Sequence, residues 1–163
     1  MKPKPSRVVR IRASGLPDDP RKIPPDALER MIEAGLFLLT GTDAPGDAWA
    51  RYFHRRDTIG IKVNCLGGRQ MCTRPALAAA AASSLASLGI APHQVIVWDR
   101  IGRELRRCGF PLNNRRNGSF RCLGTDERGV GYERDLTVEG TVGSRFSTLI
   151  TRHCSAMINM PVL

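Results

Sequence analysis

The stretch Thr58-Ile59-Gly60-Ile61-Lys62-Val63-Asn64 decides the fold. Side chains alternate along a strand, so Ile59, Ile61 and Val63 share an apolar face, while Gly60, Lys62 and Asn64 share the other. Further on, Val95-Ile96-Val97-Trp98 is a continuous apolar run closed by Asp99, the pattern of a strand covered on both faces. Ala156 to Met160 reads as a final core strand. Between the first two runs lies an Ala-rich helical stretch with Pro75 in its first turn and Leu77, Leu85 and Leu88 on one face, ending at Gly89. Strand and helix in alternation predict an α/β layered domain with a mainly parallel sheet.

Outward from this centre the signals are local. Residues 7–12 (Arg-Val-Val-Arg-Ile-Arg) read as a short edge strand. After Pro24-Pro25, Asp26 and Glu29 have capping-box spacing, and Leu28, Met31, Ile32, Leu36 and Leu39 recur at helical spacing. Asp47 is expected to cap a short helix carrying Trp49, Tyr52 and Phe53, and Thr73 to cap the Ala-rich helix. A short helix covers Gly102 to Cys108. Residues 110–143 read as an irregular insert within a single domain over 1–163, with a hairpin expected across Asn117-Gly118. Ser144 is expected to cap a last helix bearing Phe146, Leu149 and Ile150.

Composition narrows the function classes. Hydrophobic residues make up 42% of the 163, which supports a packed core rather than disorder. No apolar run reaches the roughly 18 residues of a membrane span. The opening MKPKPSRVVR lacks the apolar segment of a secretory leader, so the chain reads as cytoplasmic as written, or periplasmic if a leader has been removed. The formal charge is +10, yet the arginines are scattered and aromatics are only 6%, which argues against a nucleic-acid stripe with stacking residues. That charge still attracts anions. Cys65, Cys72, Cys108, Cys122 and Cys154 contain no C-x-x-C pair, so the spacing of structural zinc or iron–sulfur ligands is absent and reduced, partly buried thiols are expected. No metal ligand is assigned, and the cofactor is left open.

The chemistry is expected at the carboxyl ends of the strands, where open α/β sheets bind ligands. Lys62 is the only lysine beyond residue 22 in an arginine-rich chain, and it follows a glycine and precedes an asparagine on one strand face. A compact cation aimed at an anion explains the choice, and so does a snorkelling lysine on an edge strand. Lys62 and Asp99 are the candidate catalytic pair. Asn64, Gly67, Gly68, Thr73 and Asn159 are the candidate ligand-binding residues. Arg69 and Arg74 flank the Gly67-Gly68 loop, whose following helix start would favour an anion. No Walker loop, dinucleotide fingerprint or nucleophile elbow is present.

The blocks IGIKVNCLGG, TRPALAAA, VIVWDR, REL, CGF, RCLGTDERGVGY and VGSRFSTLITRHCSAMINMPVL occur in an order that resembles the domain-of-unknown-function-362 family, from about Val8 to the last residue. The chain particularly resembles a bacterial branch whose members often carry a twin-arginine export leader. The resemblance implies an α/β fold and matches Lys62, Asn64, Thr73, Pro75, Asp99 and Asn159 to family motifs. It assigns no reaction. Some relatives carry an added iron–sulfur domain, whose cysteine pattern this chain lacks. Relatives continue after PVL with a Lys-Asp-His run and further α/β elements. The expectation is therefore an N-terminal part of a longer domain, which alone would expose apolar surface, be marginally stable and self-associate. Three functions follow: a small-molecule or metal-dependent enzyme, a non-catalytic module for anions or nucleic acid, or an inactive truncated fragment.

Overall fold

The structure, a computed structural model, describes residues 6–19, 22–117 and 119–162. Three helices open on a proline: α1 (Pro25–Thr40), α2 (Pro45–Ala50) and α3 (Pro75–Ser84). Proline suits the first helical position, because its fixed φ is helical and an N–H there would have no intrahelical acceptor. The preceding residue (Pro24, Ala44 or Arg74) is then the N-cap and provides no side-chain cap. This corrects the capping roles expected of Asp26, Asp47 and Thr73. Asp26 instead accepts from Arg30 one turn later, at 2.5 Å.

Four strands, β1 (Ile59–Val63), β2 (Val95–Asp99), β3 (Arg121–Gly124) and β6 (Ala156–Met160), form one parallel sheet in the order β3-β2-β1-β6. Strands β4 (Thr137–Glu139) and β5 (Val142–Ser144) make a separate antiparallel hairpin. The domain is α/β, as the alternation of elements predicts. α4 (Gly102–Arg107) connects β2 to β3.

The two faces of the sheet are covered differently. Ile59, Ile61, Val63, Val95 and Val97 are fully buried beneath Leu36 of α1, Trp49 of α2, Ala78 and Ala81 of α3, and Leu105 of α4. Each such aliphatic side chain contributes roughly 1.5–3 kcal/mol by leaving water. Trp49 also donates its indole N–H to Ser84 Oγ at 2.9 Å, which fastens α2 to the end of α3. On the opposite face Ile96, Trp98 and Leu123 pack beneath Leu149, with Val130, Cys154 and Met157 beside them. That second cover belongs to the connection from β3 to β6, which includes a wide helical turn over Leu149–His153. Glu133 clamps this connection by accepting from Thr151 Oγ1 at 2.5 Å, from Arg152 Nε at 2.8 Å and from Arg152 Nη2.

Several expectations change. Residues 7–12 pair with no strand; Val8 is exposed and Arg7 donates to Leu38 O of α1 at 3.1 Å, so the segment is an extended strap on a helix. An alternation of apolar and basic residues fits that as well as it fits an edge strand. The insert over 110–143 contains β3, because Cys122 and Leu123 are buried on opposite faces of the sheet edge. Chain reversal before β3 is seen in the antiparallel pairing of Asn113 with Cys122, while Gly118 of the expected Asn117-Gly118 hairpin lies outside the described residues. Ser144 ends β5 instead of capping a helix. β6 is an edge strand and only half buried, not a central core strand. Among the described residues, no helix is long and apolar enough to cross a membrane. Leu66, Met71, Leu136, Val138 and Val142 are nonetheless exposed apolar side chains.

Two glycines make contrasting tests of packing. A Cβ at Gly60 would stand 2.5 Å from Met157 Sδ, 2.9 Å from Cys154 Sγ and 3.1 Å from Trp98 Nε1, of which the first two end movable side chains. At Gly124 it would strike Asp126 Oδ1 and the backbone of Gly102, whose Cα is 2.9 Å away. Gly124→Ala is expected to cost about 3 kcal/mol in urea unfolding and Gly60→Ala about 1–2 kcal/mol. The reverse ranking would contradict this packing.

The clamp predicts an acid response. The Arg152 guanidinium and the Thr151 hydroxyl hold the Glu133 carboxyl down to about 2. Its contribution is therefore complete above the ordinary carboxylate range and is lost as pH falls through about 2. A carboxyl-detected NMR titration of Glu133 should show this low midpoint, and Arg152→Gln should raise it.

Candidate functional site at the strand ends

Asp99 ends β2 with only 5% of its surface exposed. A carboxylate so placed is costly unless its oxygens are filled. Three donors fill them: the Cys65 N–H to Oδ2 at 2.7 Å, the Arg100 N–H to Oδ1 at 2.7 Å, and Lys62 Nζ to Oδ1 at 2.8 Å. Lys62 is in register with Trp98, so its side chain starts on the face opposite Asp99 and reaches over the end of the sheet. On the way it donates to Val63 O at 2.6 Å and passes 5.5 Å from the Trp98 ring centroid. The third ammonium N–H has no protein acceptor among the described residues.

Thr73 does a different task from the one its sequence position suggests. Its hydroxyl donates to Met160 O at 2.5 Å and accepts from the Asn64 N–H at 3.1 Å, while its own N–H donates to Asn64 O at 3.1 Å. One side chain thus joins the ends of β1 and β6. Asn64 is exposed, and its Oδ1 accepts from the Leu66 N–H at 3.2 Å. Gly67 and Gly68 form the tight turn that follows. Gly68 has φ +73, donates to Cys65 O at 3.1 Å and accepts from the Met71 N–H at 3.0 Å, a left-handed position suited to glycine. Asn159 is exposed and stands directly across from Lys62 in the β1–β6 register. All seven candidate residues therefore gather at the carboxyl end of the sheet.

A cavity of about 600 Å³ opens elsewhere on that end, on the helix-covered side. Arg69, Cys72, Arg74, Pro75, Cys108 and Gly109 line it, whereas Lys62, Asp99, Asn64 and Asn159 do not. Cys72 and Cys108 are part of its wall, and Cys65 lies behind them in the same core cluster, with Cys108 Sγ 3.7 Å from Cys65 O. Sequence reading placed Arg69 and Arg74 beside the loop but missed this thiol group, because Cys108 is distant in sequence from Cys65 and Cys72 and joins them only through tertiary packing. Burial pushes the Cys72 and Cys154 thiols up to about 11 and the Cys122 thiol up to about 12, and it raises Cys65 as well. All five cysteines are reduced. Among the described residues, no group of three or more His, Cys, Asp or Glu side chains is placed to hold a metal ion. The buried Ser147 hydroxyl shares a 2.8 Å hydrogen bond with that of Thr125.

The double role of Lys62 as partner of Asp99 can be measured. Lys62 is 31% exposed, which moderates the cost of removing it. Lys62→Met should cost about 2 kcal/mol in denaturant unfolding, because it leaves a buried carboxylate with only two backbone donors. Asp99→Asn should cost a similar amount. The double variant should cost less than the sum, with a coupling of about 1 kcal/mol or more. Simple additivity would remove the pair from the account of the fold.

No protein-family profile matches the chain, and neither a curated protein nor a solved structure shows significant similarity to it.

Proposed function

We propose that this is a ligand-binding α/β domain of the domain-of-unknown-function-362 kind, which takes a small anionic molecule at the carboxyl ends of β1 and β6 and acts on it as an enzyme. Lys62 provides the cation, Asn64 and Asn159 orient the ligand, and Asp99 is a positioning residue that holds the ammonium. The observation that carries this reading is the placement of Lys62 and Asn159 across the break in strand order. From β1 to β3 the chain steps one way with its helices on one face; it then returns over the other face to lay β6 against the free edge of β1. In open α/β sheets that reversal leaves a crevice beyond the strand ends, where ligands bind. An ammonium with an N–H to spare and an exposed amide stand at this switch point, which supports the reading.

The competing reading is a non-catalytic polyanion binder driven by the +10 charge. The two differ in salt dependence and in locality. Titration with inorganic phosphate, followed by amide chemical shifts, should perturb Asn64, Leu66 and Asn159 in a saturable manner. Lys62→Met should weaken this binding about tenfold, and Asn159→Ala by less. Binding of heparin that falls steeply with salt and is indifferent to Lys62→Met would replace the crevice reading by the polyanion one.

A further inference from the structure

We propose that Cys72 and Cys108 are a reversible dithiol–disulfide pair, and that the cavity they line admits small anionic disulfides as its oxidant. This inference stands apart from the strand-end crevice, since neither Lys62 nor Asn159 borders the cavity.

The five cysteines are not equivalent. Cys72 and Cys108 both line the open cavity of about 600 Å³. The Cys108 thiol donates to Cys65 O at 3.7 Å and the Cys72 thiol to Arg69 O at 3.5 Å. The segments that carry them are packed together, since a Cβ at Gly109 would lie 3.8 Å from Pro75 and 3.9 Å from Arg69. Cys65 is only 1% exposed and does not border the cavity. Cys122 and Cys154 belong to different core clusters and have no thiol neighbour. A small disulfide entering from solvent therefore meets one adjacent pair.

The cavity wall also carries a charge preference. Arg69 and Arg74 border it, with Asp19 as the acidic group on the same wall. Two cations against one anion favour an oxidant that bears carboxylates. The Arg69 charge also acts on Cys72 in the direction of the thiolate.

The exchange balances with that oxidant alone. The Cys72 thiolate attacks one sulfur of the incoming disulfide, forming a mixed disulfide and expelling one thiolate. Cys108, on losing its proton, attacks Cys72 Sγ, closes the intrachain bond and expels the second thiolate. Two protein thiols lose two electrons, the small disulfide gains them, and the two protons pass to the released thiolates. Cys72 is the first nucleophile because it is the more exposed of the two, at 8% against 3% for Cys108. Burial keeps the Cys72 thiol up near 11, so the reaction is slow at neutral pH and accelerates about tenfold per pH unit through the range 7–9.

The test uses the folded chain with two probes, oxidised glutathione (anionic) and bis(2-hydroxyethyl) disulfide (neutral), at pH 8. After acid quenching, peptide mapping should find Cys72 joined to Cys108, with Cys122 and Cys154 still reduced. Oxidised glutathione should react at least about fivefold faster than the neutral disulfide, and Arg69→Gln with Arg74→Gln should erase that difference. Cys108→Ser should stop the reaction at a single glutathione adduct on Cys72, which keeps the test usable if another variant fails to fold. The proposal is overturned if the wild-type chain forms no Cys72–Cys108 bond while folded, if Cys65 closes the bond in place of Cys72, or if both probes react at equal rates.

Discussion

A buried carboxylate governs the working end of this domain. Asp99 is almost wholly removed from solvent, so the chain must deliver donors, and the three it receives come from three different places. The Cys65 N–H fixes the exit of β1, the Arg100 N–H fixes the exit of β2, and Lys62 arrives from the opposite face. Once Cys65 is held, the Gly67-Gly68 turn brings the chain back to Thr73, whose hydroxyl reaches Met160 at the end of β6. The exits of three strands are thus linked through one desolvated charge and one hydroxyl. Asp99 and Val63 occupy two of the Lys62 donors and leave the third without a protein acceptor among the described residues.

How much of this could be read from sequence depended on whether the cause was local. β1, β2 and β6 were legible because their residues are mainly apolar, continuously so from Val95 to Trp98 and interrupted by Lys62 in β1 and Asn159 in β6. β3 was not: Arg121-Cys122-Leu123-Gly124 is short, begins with a cation and ends with a glycine that the neighbouring Gly102 backbone requires. Helix starts were misplaced by one to three residues because Asp26, Asp47 and Thr73 are good capping types near prolines that set the boundary first. The strap over residues 7–12 looked like a strand because its pattern reports only that one side meets protein.

The site divides along the same line. Lys62 and Asn64 stood out because they break the apolar pattern of their strand, and Asp99 and Asn159 because they lie at or near strand ends. The hydrogen bond from Thr73 to Met160 spans 87 positions, and nothing near Thr73 in sequence announces it. The Cys65, Cys72 and Cys108 group is likewise a product of α4 packing beside the loop after β1. Such assemblies have no local spacing to recognise.

The route of the chain from β3 back to β6 also sets an order of events. Thr58 and Ser155, which meet at the mouth of β1 and β6, are 97 positions apart, whereas β1, β2 and β3 are successive in sequence. Closing the longer loop costs more entropy, and during synthesis β6 emerges after the other three strands of its sheet. Until then β1 is an open edge with a row of unpaired backbone groups, which invites pairing with a neighbouring chain. Lys62 sits in that edge. A charge there blunts such pairing during the interval before the native strand docks, so the same lysine guards the nascent chain before it ever meets Asn159.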